Sequence, residues 1–265
     1  MSIKVWGFFF LSFLFNNICF AYDIKLYPIE HSLEYKPTLD LVFSGLNYQN
    51  QKVFFNDIEI FIQRLKQTRP FTENFGRIKF YCIYFSEKEK NVIFQQVQGF
   101  PPLKVRQDFL EDIFARLKSN YKLVIIDASG LTSCAELSSS EKASLIILGK
   151  ARYKDKHSFA KGFLHELGHS LGLRDECVDC QQLLAAGPPN CAAIREDAEK
   201  WWGDLVGKDL RVNYISGCCG NKDYIRPTIA SFMNDPGKAE DFGPVNERYL
   251  NELLKNKIVS NPSGS

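Results

Sequence analysis

The stretch HELGHSLGLRDE, residues 165–176, closes a helical run that begins near Lys156. On a helix, His165 and His169 lie four residues apart, one turn above the other on the same face, so both imidazoles reach a single metal ion. Glu166 is the next residue along and projects toward the same side, where it can take a proton from an attacking water. Gly172 supplies the permissive backbone that ends a helix in a sharp turn. That turn brings Asp175 round as a third ligand, with Glu176 beside it as the fallback. Two imidazoles and one carboxylate leave the fourth position of a zinc ion open, the arrangement of a catalytic site and not a structural one. The candidate ligands of one zinc ion are therefore His165, His169 and Asp175, and the candidate base is Glu166. Half of a di-iron bundle site is the rival for Glu166 and His169, but it needs a partner E-x-x-H motif. The sequence contains no other.

Working outward, LDLVFSG (39–45) is an apolar run with a glycine stop. After it Phe54, Phe55, Ile58, Phe61, Ile62 and Leu65 recur at three- and four-residue spacing, which reads as strand then amphipathic helix. RIKFYCIYF (77–85), KLVIIDA (122–128) and SLIILGK (144–150) read as further strands, and VRQDFLEDIFARLKS (105–119) as a helix. Strands alternating with helices predict an α/β class with a largely parallel twisted sheet and long helices, the motif-bearing helix of about 156–173 among them. Beyond it the chain turns rich in cysteine, glycine and proline. It regains clear periodicity only in VNERYLNELLKN (245–256), a closing helix. The expected organisation is an N-terminal extension over 22–37, an α/β subdomain over 38–173, a smaller irregular cysteine-rich lobe over 174–257, and a tail over 258–265. An edge strand lining the cleft is expected somewhere within 129–150, and the segment Cys177 to Cys219 is the expected wall of the cleft's far side.

The first residues join Lys4 to an apolar run from Val5 to Phe15 and a small residue at Ala21, the layout of a secretory signal peptide over residues 1–21. The run is short for a membrane span, so export to a secreted or periplasmic location is expected, without stable anchoring. A lipoprotein site at Cys19 is disfavoured because Asn17 and Ile18 precede it where a small residue belongs. Removing residues 1–21 takes away one charge and leaves 32 basic against 31 acidic side chains. That balance, with no block of basic residues, argues against a nucleic-acid partner. Of eight cysteines, five crowd between Cys177 and Cys219. In an exported chain this reads first as a disulfide framework with a thiol left over, and second as a structural zinc site.

The motif resembles that of the IgA-peptidase-like family of metzincin zinc peptidases. Its members pair H-E-x-G-H-x-x-G-x-x-D-E with a downstream R-P-T-x-x-S-x-M turn, which stand here as HELGHSLGLRDE (165–176) and RPTIASFM (226–233). LDLVFSGLNYQ (39–49), RPFTENFGRIKFYCIYF (69–85) and FGPVNERYL (242–250) resemble the family's flanking segments, so the likeness spans most of 38–255. It implies zinc held by His165, His169 and Asp175, Glu166 as general base and then acid, and Met233 as a hydrophobic floor beneath the histidines. A lone methionine is otherwise a core filler. Two departures are Cys177, where tyrosine is common, and Asp235, where some metzincins carry a tyrosine ligand. Tyr214, Tyr224 and Arg226 are the remaining candidates for a second oxyanion donor. The implied activity is hydrolysis of peptide bonds in a protein or peptide substrate. A zinc amidase acting on cell-wall bonds and an inactive zinc-stabilised binding protein are the alternatives, and retention of Glu166 weighs against the last.

Overall fold

The computed structural model describes residues 23–26, 37–84, 93–96, 103–136, 143–178 and 184–255. The expected signal segment, Cys19, Cys180 and the tail lie outside them. The protein is mixed α/β with a largely parallel central sheet. In chain order its strands and helices are β1 (Asp23–Leu26), β2 (Leu39–Leu46), α1 (Gln51–Gln67), β3 (Ile78–Tyr84), β4 (Phe94–Gln96), β5 (Leu103–Val105) and α2 (Gln107–Leu117). There follow β6 (Tyr121–Asp127), β7 (Cys134–Ala135), β8 (Ala143–Gly149), α3 (Lys156–Ser170), α4 (Arg195–Trp202), β9 (Ile215–Cys218), β10 (Asn221–Arg226) and α5 (Pro244–Lys255). The main sheet runs β1-β3-β2-β6-β8-β7. Its four middle strands are parallel, and both edge strands are antiparallel to their neighbours.

Parallel strands covered on both faces read as continuous apolar runs, and β2 and β6 do so because both of their faces are buried. Leu41 and Phe43 of β2 point into one core with Ile58, Phe61 and Phe163, whereas Val42 points into a second core with Phe109, Ile113 and Ile125. In the first core, Phe61 of α1 stacks on Phe163 of α3 with ring centroids 4.5 Å apart, and Phe43 lies 6.1 Å from Phe163. Each such fully buried ring contributes roughly 1.5–3 kcal/mol. Side-chain caps start both helices of this face. Asn50 accepts from the Val53 amide at the head of α1, and Asp155 forms a reciprocal capping box with Ser158 at the head of α3.

Two departures from the sequence reading bear on the site. Residues 23–26, inside the expected extension, form an edge strand on β3. The cysteine-rich lobe is also less irregular than expected, with the β9-β10 hairpin and α4 packing through Ala198 and Trp202. At eight residues, without a side-chain cap, and with one small and one large buried contact, α4 carries little periodicity to read. Among the described residues no helix is long and apolar enough to cross a membrane.

Candidate metal centre

Helix α3 ends in a Schellman turn: the amide of Leu173 donates to Gly168 O at 3.0 Å and that of Gly172 to His169 O at 2.9 Å, with Gly172 at φ +100°. The chain then runs back past the end of the helix and places Asp175 against the two histidines. His169 Nε2 stands 3.2 Å from His165 Nε2 and 3.2 Å from Asp175 Oδ1, and His165 Nε2 stands 3.5 Å from that same oxygen. The other ring nitrogens are taken. Nδ1 of His165 lies 2.7 Å from Phe232 O, and Nδ1 of His169 lies 2.9 Å from Leu173 O. A carbonyl oxygen only accepts, so each Nδ1 carries the proton and each Nε2 presents its lone pair. Two imidazole lone pairs and a carboxylate oxygen thus converge on one point, the donor set of a zinc ion with an open position.

The electrostatics follow from burial. The His165 ring is held down at about 4, first by burial and then by the neighbouring His169, with Asp175 offsetting part of this. Burial also opposes charge on His169, but its contact with Asp175 and the charges of Asp175 and Glu166 outweigh it and raise that ring. Burial disfavours the charged form of Asp175 as well, yet the two histidines bring its carboxyl below the usual range. Glu166, 6% exposed, is pushed up to about 7 chiefly by burial, and its charge reaches Cys134 on β7 and Tyr153. His169 and Asp175 act on Glu166 in turn, and the helix that carries it packs against β7 at the sheet's edge.

Met233 is fully buried, and its sulfur lies against Gly168: a Cβ at that glycine would stand 2.6 Å from Met233 Sδ. Met233 therefore packs directly on the helix that carries the two histidines, at Gly168. Glu176, the fallback ligand, is turned the other way. Its carboxylate is enclosed by Asn190, Thr228, Ser231 and Asn246, and takes no part in the donor cluster. The two neighbouring side chains are thus held by different partners, Asp175 by the histidines and Glu176 by these four neutral donors. Arg226, offered as an oxyanion donor, instead binds two carbonyls, Glu176 O at 2.6 Å and Gly217 O at 2.9 Å. Tyr214 lies under the Arg195 guanidinium and beside Trp202, and Tyr224 packs on the cysteine cluster.

Cys191 and Cys218 form a disulfide, and Cys177 is also disulfide-bonded. The free thiols among the described residues are Cys82, Cys134 and Cys219, with Cys219 Sγ 4.0 Å from Cys218 Sγ. The disulfide reading of this cluster is the one the structure takes up. Sequence reasoning overlooked Asn190 and Asn246 and the two carbonyls that orient the histidines. An isolated asparagine or a backbone oxygen leaves no pattern in a sequence.

No family model and no curated protein matches this chain. Among solved structures, the archaemetzincin of Methanopyrus kandleri is similar at a TM-score of 0.38 and 12% identity, over 82% of this chain and 96% of that one.

Proposed function

We propose that this chain is an exported zinc metallopeptidase that cuts peptide bonds in a protein or peptide substrate. The observation that carries the reading is the convergence of His165 Nε2, His169 Nε2 and Asp175 Oδ1 within 3.2–3.5 Å of one another, with Glu166 on the same helix. A zinc ion held by those three atoms would supply Lewis-acid polarisation of the scissile carbonyl. Phe232 O and Leu173 O lock the rings in the tautomer that binding requires. Glu166, itself buried, takes the proton of the attacking water and hands it to the leaving amine.

The substrate lies along β7. That strand is paired on one edge with β8, and among the described residues no strand covers the other edge, which offers its backbone groups to an extended peptide. Because β7 packs on α3, a chain laid there passes the donor cluster. The disulfides support the export reading.

The test compares the chain from Tyr22 onward with its Glu166→Ala variant, by metal analysis and by cleavage of a broad peptide library, with peptidoglycan fragments in parallel. About one zinc per chain is expected in both proteins. Peptide cleavage should fall at least ~100-fold in the variant, since a positioned base contributes 10²–10⁴ in rate. Equal cleavage by both proteins would sink the mechanism, and turnover confined to peptidoglycan would reassign the substrate to cell-wall amides.

A further inference from the structure

Beside the candidate ligand Asp175 sits a carboxylate that ligates nothing. Glu176 is 0% exposed and is ringed by neutral donors. Asn190 Nδ2 and Asn246 Nδ2 donate to Oε1 at 2.9 and 2.8 Å, and Ser231 Oγ and Thr228 Oγ1 donate to Oε2 at 2.7 and 3.2 Å. Its main chain is equally tied: the amide donates to Met233 O at 2.8 Å, and Arg226 Nη1 donates to the carbonyl at 2.6 Å. Burying a carboxylate whose oxygens meet only neutral donors, with the nearby Arg226 bound to its main-chain carbonyl instead, is costly, and an apolar side chain of similar volume would avoid that cost. Glu176 is therefore a poor device for stability alone, and what it gains is geometry.

The geometry it sets is that of the donor cluster, from two directions. Along its own chain it immobilises the residue after Asp175. Asn190, one of its donors, also clasps the residue before, accepting from Arg174 N at 2.9 Å and donating to Arg174 O at 2.8 Å. The Asp175 carbonyl itself accepts from Cys219 N at 2.9 Å. Asp175 thus hangs between two anchored neighbours, and its side chain can be aimed by them. Across the site, Ser231 and Thr228 belong to the turn that carries Phe232, whose carbonyl holds His165 Nδ1–H. The same turn carries Met233, the residue beneath Gly168.

We infer that Glu176 is a positioning residue that couples the third donor, Asp175, to the carbonyl orienting the first, His165, so that one buried carboxylate sets two of the three metal-binding atoms. This rests on the zinc reading of the preceding section. It accounts for the sequence pairing of D-E at 175–176 with T-x-x-S at 228–231 as two halves of one latch. Glu176 touches neither the metal position nor the substrate, and it acts only through its neighbours.

The test is zinc affinity, measured by chelator competition, in wild type, Glu176→Gln and Ile113→Ala. The glutamine keeps the volume but presents an amide N–H₂ to two of the four donors. Ile113, buried on the opposite face of the sheet, provides a loss of stability remote from the site. Losing an outer partner of a metal ligand typically costs 10–100-fold in affinity, so Glu176→Gln is expected to bind zinc about 10-fold or more weakly. Ile113→Ala, with an equal or larger fall in melting temperature, should stay within about twofold of wild type. Ser231→Ala, which removes one donor, gives a smaller weakening in the same direction and serves if the glutamine variant does not fold. In the metal-free protein, nitrogen NMR of His165 should show one tautomer in wild type and a mixture in Glu176→Gln. Unchanged zinc affinity in both Glu176→Gln and Ser231→Ala, with wild type binding zinc, overturns the positioning role alone. A wild type that binds no zinc overturns the parent reading and this one together.

Discussion

Gly168 is where the sulfur of the methionine turn packs directly on the backbone of the metal-motif helix. A Cβ there would stand 2.6 Å from Met233 Sδ and 3.1 Å from Phe242 Cε1, in a fully buried core. Overpacking of this kind costs about 1–3 kcal/mol, against a gain of roughly 1 kcal/mol for replacing glycine inside a helix. Gly168→Ala should therefore lower the unfolding free energy by about 1 kcal/mol. In a Met233→Ala background, where the sulfur is gone, the same change should be neutral or stabilising. Urea titration of the four metal-free proteins checks this, and equal effects in both backgrounds would refute the contact. At this scale the sequence was most informative. The shared face of His165, His169 and Glu166 is read from helical period, whereas Asp175 as third ligand rests on the Gly172 turn together with the family resemblance. The role of Glu176 was hidden because aspartate and glutamate are interchangeable as metal donors on paper. Only the contacts made across the sequence, to Asn190, Thr228, Ser231 and Asn246, show which of the two faces away from the histidines.

Among elements, α3 matters most, and its grip on α1 has a charged component as well as the aromatic one. Lys161 of α3 is buried, with its ammonium 2.6 Å from Glu240, while Arg64 of α1 reaches the other oxygen of that carboxylate at 2.9 Å. These two hydrogen bonds, that of Lys161 foremost, bring the Glu240 carboxyl down to about 2 from an ordinary 4.5. Its folded value lies below its unfolded one, so the stability it lends is complete above pH 4.5 and is lost as the pH falls toward 2. Removing one partner of a fully buried pair costs 3–5 kcal/mol, but Glu240 is largely exposed and screened by solvent. Glu240→Gln should cost about 1–2 kcal/mol at pH 7. Denaturant melts of both proteins at several pH values should show that difference shrinking through pH 4 and 3 and closing near 2. A gap independent of pH would assign the loss to packing. The elements themselves were legible wherever burial imposes a period: β2, β6, β8, α1, α2, α3 and α5 lie within a few residues of the reading. The two-residue β7 was placed only to a range, because a strand that short carries no alternation to detect. Its position comes from pairing with β8, a contact across the sequence.

On the scale of the whole molecule, the expected division after Leu173 meets a helix that belongs to both parts. Leu250 and Leu254 of α5 lie in the core beneath α1 and α3, whereas Val245, one turn earlier, lies in the cluster formed by Ala198, Trp202 and Val212. Polar ties follow the same pattern. Asn251 meets Asn74, and the carbonyl of Leu254 accepts from Thr38 Oγ1 at 2.8 Å, while Arg248 holds Asp204 at 2.8 Å. Asn246, at the hinge between the two sets, is the residue that reaches Glu176. A helix shared in this way makes the two cores cooperative, since neither keeps its full complement of contacts once α5 leaves. The chain carries its own reporters for this. Of three tryptophans, Trp6 belongs to the expected signal segment, and Trp201 and Trp202 both sit in or against the smaller cluster. In the chain from Tyr22 onward, tryptophan fluorescence therefore follows the C-terminal lobe, while far-ultraviolet circular dichroism is weighted toward the six-stranded sheet and its helices. The two signals should trace one superimposable urea transition. A chain stopped after Phe242, lacking α5, should separate them or lose both. A fluorescence midpoint well below the dichroism midpoint in the chain that retains α5 would show that the lobe melts on its own and that α5 does not bind the two cores into one folding unit.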